Sequence, residues 1–248
     1  MSNYTLNRDA ALTTTIDGST IVIPFFQCND CGSAISEHYA GITGRCSSCT
    51  REDNQTEGLE QIHTVTIYLP DEDRTNSGVV GDISKFSDQI YEAKGGKHVT
   101  KMSNILKYGI DKFDELSHAD LIVYPPSGEG GDNHMKQIAE ELSSKTMIPS
   151  ADVTEKAEDY PSQKSTDSLD ERISNIQGKI GIRQTSSVNF EDVDQAIIVD
   201  DVVVTGSTMS NTAQVLLQEG VSQVYGLGIT RNEALNHLIC SVGSVYGA

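Results

Sequence analysis

The chain has 248 residues, with 18 Lys or Arg and 36 Asp or Glu, so its formal net charge is −18. That length can bury a core without disulfides, and it fits one larger domain plus a small module or two small domains. The acidic excess argues against binding nucleic acid or anionic membranes through a basic surface. It favours a protein kept soluble by its carboxylates, for which a salt-rich cytoplasm is one setting.

The sequence shows neither a membrane span nor a secretory signal. No window of about 18 apolar residues is present. The first residues lack the positive region and apolar stretch of a secretory signal. We therefore expect a cytoplasmic protein.

The N-terminal quarter predicts two strands around a cysteine-rich segment. The apolar run from Ile21 to Phe26 predicts a short strand, and the alternation from Ile62 to Leu69 predicts another. Between them, residues 28–58 hold four of the five cysteines and too few apolar residues for a core. Residues 71–82 are acidic and rich in turn residues, and they predict a connection.

Helical periodicity dominates the next part of the chain. Residues 83–94 and 98–108 predict two helices, and Gly95-Gly96 ends the first. Two prolines stop a short apolar strand that runs from Leu121 to Tyr124. A glycine-rich segment separates that strand from a helix predicted over Met135–Lys145.

Residues 150–170 are polar and acidic, and they predict a loop, after which the chain returns towards order. A buried strand is then predicted over Ala196–Val199, followed by two aspartates. A helix predicted over Met209–Glu219 leads into a strand predicted over Val221–Ile229. A strand–helix–strand unit of this kind implies a parallel sheet, so the predicted fold class is α/β.

Four cysteines have the spacing of a metal site. The pairs Cys28-x-x-Cys31 and Cys46-x-x-Cys49 flank 14 residues, which suits one tetrahedral Zn²⁺ with four thiolates. Such a site has no open ligand position, so its role would be structural or that of a docking surface. A redox-active pair is the alternative, and two disulfides fit a reducing cytoplasm poorly.

The acidic pair and the residues after it suggest a ligand site. Asp200 and Asp201 follow a buried strand, where unpaired carboxylates are costly, and ligands of open α/β sheets bind at this edge. Thr205–Thr208 opens the next helix, where backbone N–H groups and hydroxyls can hold an anion. The combination suits a ribose diol next to a phosphate. The alternative is an acidic turn without a ligand.

Residues 196–208, AIIVDDVVVTGST, resemble the phosphoribosyl-pyrophosphate motif of type I phosphoribosyltransferases. Together with the cysteine pairs, they resemble the ComF family, which is linked to DNA uptake in competent bacteria. Ile105–Gly109 and Ser162–Gly178 resemble two further segments of that family. The resemblance covers about residues 25 to 232, with the order of the segments preserved.

The resemblance implies a parallel-sheet phosphoribosyltransferase fold with a small N-terminal zinc ribbon. It divides the chain into three parts. These are residues 1–58 with the ribbon, a connecting strand and helices over 59–118, and the phosphoribosyltransferase-type domain over 119–248.

The implied reaction starts from phosphoribosyl pyrophosphate bound with Mg²⁺, which loses pyrophosphate as a nitrogen acceptor takes its place at C1. Asp200 and Asp201 would hold the ribose hydroxyls, and they are the expected catalytic residues together with Arg172. Arg172, Lys164 or Lys156 would close over the pyrophosphate, although Lys156 is better explained as surface charge.

The 5′-phosphate would be held directly after the acidic pair. The expected substrate-binding residues there are Val204, Thr205, Gly206, Ser207 and Thr208.

The chain departs from the family pattern at two places. In the loop from Tyr124 to Met135, Gly130 stands where the family usually has Arg, and Glu129 and Asp132 replace cations. Val204 occupies the place at which purine-salvage relatives carry an acid proposed as the catalytic base. Both departures argue against turnover more than against binding of a phosphoribosyl ligand.

Three functions are therefore compared. The first is a phosphoribosyltransferase with an unassigned acceptor. The second is a non-catalytic protein that binds a phosphoribosyl ligand or related nucleotide and docks a protein partner through the ribbon. The third, a single-stranded DNA accessory, ranks low because residues 25–58 contain only Arg45 and Arg51 as cations. A homodimer is compatible with each.

Overall fold

The computed structural model describes residues 5–7, 11–16, 19–24, 29, 57–68, 78–126, 134–157, 178–204 and 206–232. The strands are β1 (Thr5–Asn7), β2 (Ala11–Ile16), β3 (Ser19–Pro24), β4 (Gln61–Tyr68), β5 (Leu121–Val123), β6 (Ser150–Ala151), β7 (Thr154–Lys156), β8 (Ile180–Ile182), β9 (Gln195–Val203) and β10 (Gln223–Asn232). The helices are α1 (Gly78–Ala93), α2 (Val99–Lys112), α3 (His134–Thr146) and α4 (Ser207–Gln218), with 3₁₀ turns at Asp114–His118 and Phe190–Asp192.

A five-stranded sheet forms the centre of the fold, in the order β4-β10-β9-β5-β6. Every neighbouring pair in it is parallel. Strands β9 and β10 are joined by α4, as the predicted strand–helix–strand unit requires. The predicted α/β fold with a parallel sheet is confirmed. Strand β4, from the segment predicted to connect two domains, is an edge strand of this same sheet.

Strand β9 is covered on both faces, which explains its unbroken apolar sequence. Ile197 and Val199 pack in a cluster with residues of α1, α2 and α3. Ala196 and Ile198 belong to a second cluster with residues of α4. Because successive side chains of a strand point to opposite faces, one run of four apolar residues supplies two core layers.

Most of the predicted elements are present within a few residues of their expected ends. Strands β4, β5 and β10 confirm the strands expected near residues 62–69, 121–124 and 221–229. Helices α2, α3 and α4 confirm the helices expected near 98–108, 135–145 and 209–219. Gly220 adopts φ 111° after α4, as expected of a residue that ends a helix.

Strand β9 is longer than predicted, and this corrects the placement of the acidic pair. Asp200 lies opposite Gly228 and Val202 lies opposite Thr230 in the ladder with β10, so pairing continues to Val203. Asp200 and Asp201 therefore belong to the strand and do not follow it. The polar side chains were expected to end the strand, but the pairing with β10 outweighs that local preference.

Two other expectations were wrong for similar reasons. Residues 78–82 were expected in a turn-rich connection but form the first part of α1. Residues 150–156 were expected in a loop, yet they contain β6, which pairs with β5, and β7, which pairs antiparallel with β8. Short strands of this kind are fixed by their partners, and their own sequence indicates them poorly.

The N-terminal strands were only partly predicted. Strand β3 covers Ser19–Pro24, whereas the expected strand ran from Ile21 to Phe26, and its last two residues lie outside the described part of the chain. Strands β1 and β2 were missed. The register pairs Ile16 with Ser19, so Asp17-Gly18 stands between the strands. Asp-Gly between two strands is a strong hairpin signal that was overlooked.

The chain just before β4 is attached to α4. Ser210 Oγ donates a hydrogen bond to the carbonyl of Glu57 at 2.6 Å, and Gln214 Nε2 donates one to Glu57 Oε2 at 3.2 Å. Gly58 adopts φ 84° beside this helix. A Cβ on Gly58 would lie 3.1 Å from Gln214 Cγ, so the chain passes close to the helix.

None of the helices that the structure describes is long and apolar enough to cross a membrane.

We predict that Gly228→Ala destabilises the fold. A Cβ at residue 228 would overlap Val203 Cγ2 and lie 3.1 Å from Thr64 Cγ2, both in neighbouring strands of the sheet. Overpacking of this kind costs about 1–3 kcal/mol. Urea unfolding would measure the loss.

Gly181→Ala is the matched control, because Gly181 also lies in a strand but its added Cβ would meet nothing within 4 Å. The control should change the free energy of unfolding by no more than about 0.5 kcal/mol. Equal effects of the two substitutions would contradict the packing argument.

Candidate functional site

The candidate site lies at the carboxyl edge of the sheet, where β9 ends. Asp200 and Asp201 belong to that end of the strand. Lys94 follows α1 directly, and His134 is the first residue of α3. The first turn of α4 begins at Ser207. Three helices and one strand therefore contribute to this edge, which is where open parallel sheets bind their ligands.

Asp201 is the most heavily contacted residue of the site. Its Oδ2 lies 2.9 Å from His134 Nε2 and 3.6 Å from Lys94 Nζ. Its Oδ1 accepts a hydrogen bond from the N–H of Val202 at 2.7 Å. Thr230 Oγ1 donates to the Asp201 carbonyl at 2.9 Å, which ties this point of β9 to β10. The side chain is only 10% exposed, so these contacts compensate a nearly buried charge.

The two carboxyls have opposite electrostatic surroundings. Burial, reinforced by the neighbouring charge of Asp201, raises the pKa of Asp200 far above its ordinary value. Burial by itself would also raise the pKa of Asp201. The hydrogen bond with His134 and the charge of Lys94 outweigh it, so the pKa of Asp201 is lowered. Asp200 Oδ1 accepts the N–H of Asp201 at 2.9 Å. The pair thus combines a firmly ionised carboxylate with a more weakly acidic one.

A glycine allows the turn between the acidic strand and α4. Gly206 adopts φ 82°, in the left-handed region, directly before the helix begins. A Cβ on Gly206 would lie 2.5 Å from Ile62 Cδ1, so a larger residue would also collide with β4. The first backbone N–H groups of a helix have no partner within the helix. Those of α4 therefore suit an anion, as the sequence predicted.

Asn211 connects this turn to another part of the chain. Its Nδ2 donates to the Ser207 carbonyl at 2.9 Å, and its Oδ1 accepts the N–H of Gly178 at 3.2 Å. The side chain is buried. One amide therefore links the start of α4 to the residue at which the described chain resumes before β8. Nothing in the local sequence indicates this link.

A second polar cluster supports the same edge beside β5. Arg183 Nη2 donates to Asp152 Oδ1 at 3.1 Å and to the Thr154 carbonyl at 3.3 Å. Thr154 Oγ1 in turn donates to the Tyr124 carbonyl at 3.2 Å. Burial, and then the charge of Asp152, raise the pKa of Tyr124. These contacts fix strands β7 and β8, between which the expected Arg172 lies in the sequence.

The structure places only some of the predicted site residues. Asp200, Asp201, Gly206, Ser207 and Thr208 lie at the end of β9 or the start of α4. Val204 is 42% exposed just beyond β9. Lys156 lies in β7, where its side chain is half-buried and burial lowers the pKa of its amine. The predicted site residues that lie outside the described chain are Thr205, Arg172, Lys164, Cys28, Cys31, Cys46 and Cys49.

The sequence interpretation missed the cations of the site. Neither His134, which follows the glycine-rich segment, nor Lys94 was assigned a role from the sequence. One signal was available for Lys94, since it is the last residue of a predicted helix, directly before the pair Gly95-Gly96. A lysine at such a turn can reach the neighbouring elements, but its partner is remote in sequence.

The carboxylates fit Mg²⁺ as part of a ligand set. Mg²⁺ is commonly bound by one or two carboxylates together with the phosphates of a substrate. Within the described ranges, no three His, Cys, Asp or Glu side chains are grouped so that they could hold a metal ion. Asp200 and Asp201 supply two carboxylates of the kind that such a site uses.

No protein-family model matches the sequence, and no curated protein matches it significantly. Several solved structures are similar to the chain at low identity. The allosteric regulatory enzyme of purine biosynthesis is 14% identical with a TM-score of 0.35, over 60% of this chain and 38% of that protein. Adenine phosphoribosyltransferase from Trypanosoma brucei, solved with AMP, pyrophosphate and ribose-5-phosphate, is 18% identical with a TM-score of 0.36.

The second match covers 62% of this chain and 60% of the trypanosome enzyme. A purine phosphoribosyltransferase from Pyrococcus horikoshii Ot3 is 16% identical with a TM-score of 0.34, over 55% of this chain and 86% of its own. The chain spans less than two thirds of the length of the first two proteins. These TM-scores are all below 0.5, so the function of the site has to be inferred from the residues of this chain.

We predict that the two neighbouring carboxyls respond oppositely to neutralisation. Asp200 has a raised pKa, so the folded state holds an extra proton and loses stability as pH rises from about 4 towards that pKa. Asp200→Asn should therefore stabilise the protein at pH 8, by roughly 1–2 kcal/mol, and have little effect at pH 4.

Asp201→Asn should destabilise the protein at pH 8 by about 1–3 kcal/mol, because the buried contacts of the carboxylate with Lys94 and His134 are weakened. Its lowered pKa makes this contribution fully present above about pH 4 and lost as pH falls further. Urea unfolding of both variants at pH 4 and pH 8 would measure the difference. A shift of the same sign in both variants at pH 8 would refute the assignment.

Proposed function

We propose that this chain binds phosphoribosyl pyrophosphate at the carboxyl edge of its sheet and transfers the phosphoribosyl group to a nitrogen acceptor. The observation that supports this proposal is the continuity of the acidic pair with the start of α4. Asp200 and Asp201 lie near the carboxyl end of β9, and the helix begins at Ser207 after a left-handed glycine. This order supports a carboxylate pair for a diol followed by a helix start for a phosphate.

The ribose and the 5′-phosphate would be held by different chemistry. The carboxylates of Asp200 and Asp201 would accept hydrogen bonds from the ribose hydroxyls. The loop from Thr205 to Thr208 would donate backbone N–H groups and hydroxyls to the phosphate. Gly206 removes the side chain that would crowd Ile62 in this turn. The hydroxyl-binding and phosphate-binding groups would then fix the C1 carbon relative to the acceptor.

The transfer balances without a redox partner. The bond between C1 and the pyrophosphate oxygen breaks, and its electron pair leaves with pyrophosphate. A nitrogen lone pair of the acceptor forms the new bond to C1, and the nitrogen then loses a proton to solvent. Mg²⁺ bound with the pyrophosphate supplies positive charge for the leaving group. The contribution of the protein is to position the ribose and to stabilise developing charge.

A second candidate is a protein that binds the same ligand without turnover. Val204, which is 42% exposed, stands where an acid acts in purine-salvage relatives of the implied family. Residues 127–133, SGEGGDN, contain no Lys or Arg. These departures favour a ComF-like regulatory or DNA-uptake accessory protein that docks a partner through the zinc ribbon. In both cases the protein would act in the cytoplasm.

We predict that the purified protein, given phosphoribosyl pyrophosphate and Mg²⁺, releases pyrophosphate in the presence of the right base or amine. A coupled pyrophosphate assay across a panel of acceptors would measure it. Asp200→Asn plus Asp201→Asn should lower the rate at least a hundredfold, because the ribose loses both of its carboxylate contacts.

Glu191→Gln provides a control, because Glu191 is an exposed carboxylate in the 3₁₀ turn before β9 and lies outside the site. Binding of the ligand without release across the whole panel would favour the non-catalytic candidate. Calorimetry that detects no binding of phosphoribosyl pyrophosphate would exclude both candidates.

We predict about one Zn²⁺ per chain, held by the four N-terminal thiolates. Cys31→Ser and Cys46→Ser should each lower the zinc content of protein purified under reducing conditions. Cys240→Ser should leave it unchanged, since that cysteine lies apart from the two pairs. Elemental analysis would measure the metal. A zinc content near zero in the wild type would contradict the ribbon.

A further inference from the structure

A lysine amine and a histidine ring converge on one carboxylate oxygen in this strongly acidic chain. Lys94 reaches Asp201 Oδ2 from the end of α1, and His134 reaches the same oxygen from the start of α3. The three residues belong to elements that are remote in sequence, and His134 and Asp201 are 67 positions apart. Both side chains lie at the carboxyl edge of the sheet, and residues 127–133, which precede α3 in the sequence, contain no Lys or Arg.

The contact of Lys94 with Asp201 has the geometry of an exchangeable pair. The lysine side chain is 52% exposed and lies 3.6 Å from the carboxylate oxygen, beyond a short hydrogen bond. Pairs this exposed contribute little to stability, so Lys94 can change partners at small cost. His134 is closer and more buried, at 2.9 Å and 20% exposure.

In the proposed complex, a ribose hydroxyl would also bind the Asp201 carboxylate. If a ribose hydroxyl binds Asp201, it competes with Lys94 and His134 for Oδ2. The N–H of Val202 already occupies Oδ1. A ligand that brings both a diol and a pyrophosphate would satisfy the carboxylate and provide new anionic partners for the displaced cations.

We propose that Lys94 and His134 bind the pyrophosphate at this site, and that Asp201 holds them until a ribose takes their place. In the free protein, Asp201 Oδ2 contacts both side chains. In the complex, Lys94 Nζ and His134 Nε2 turn to pyrophosphate oxygens while Asp201 accepts from the ribose. This inference rests on the proposed function, and it assigns the residues that bind the pyrophosphate part of the ligand.

The exchange has a consequence that a structural ion pair would not have. Asp201 should act against the binding of inorganic pyrophosphate alone, because it competes for the same two cations. Removing its charge should therefore strengthen the binding of pyrophosphate and weaken the binding of ribose 5-phosphate. A residue that served only to hold the fold together would affect both probes in the same direction.

Calorimetry with inorganic pyrophosphate, ribose 5-phosphate and phosphoribosyl pyrophosphate tests the inference. Lys94→Met and His134→Gln should each weaken the two pyrophosphate-containing probes at least tenfold, which is about 1.4 kcal/mol. Ribose 5-phosphate should bind both variants within about twofold of the wild type. Asp201→Asn should tighten pyrophosphate binding and weaken ribose 5-phosphate binding.

Lys97→Met and His98→Gln are the matched controls, because both residues lie in the same turn and pair with Glu92. They should leave all three affinities unchanged. Because Lys94 is exposed, Lys94→Met should fold even if His134→Gln does not. In that case His134→Asn would replace His134→Gln.

The outcomes separate this inference from the function on which it rests. Equal weakening of pyrophosphate and ribose 5-phosphate by Lys94→Met, or weaker pyrophosphate binding by Asp201→Asn, would overturn the assignment of the cations while the ligand still binds. No binding of any probe by the wild type would overturn the proposed function and this inference together.

Discussion

The pairing of β9 with β10 is the constraint on which the site depends. Their ladder runs from Gln195 opposite Gln223 to Val203 opposite Arg231. The ladder pairs Asp200 with Gly228 and Val202 with Thr230, so both acidic residues lie within the strand near the carboxyl edge. A Cβ on Gly228 would overlap Val203. The strand therefore holds the acidic pair in position before a ligand binds, which favours binding because little order has to be created.

Much of this arrangement could be predicted because its causes are local. Four apolar residues before the acids indicate a strand buried on both faces, and Gly220 indicates the end of the next helix. Together they predicted a parallel sheet with a ligand edge. The end of β9 was misjudged because the contribution of β10 is not visible in the sequence of β9 itself.

The cations of the site could not be predicted, since nothing in the local sequence of Lys94 or His134 indicates their shared partner. Their positions depend on how α1 and α3 pack on one face of the sheet, through residues such as Ile90 and Ile138 in the common core. The same holds for Asn211, which reaches Gly178 across 33 positions. Long-range polar contacts of this kind follow from packing, which the pattern of the chain specifies only in outline.

The hydrogen bonds of Glu57 connect the chain before β4 directly to α4. Ser210 and Gln214 fix the chain that arrives from the cysteine-rich segment to the middle of the helix whose first turn faces the acidic edge. A partner that binds that segment would therefore be connected to α4 through two hydrogen bonds that do not pass through the sheet. Helix α4 belongs to the candidate site at its first turn and is bonded to the chain before β4 at its middle.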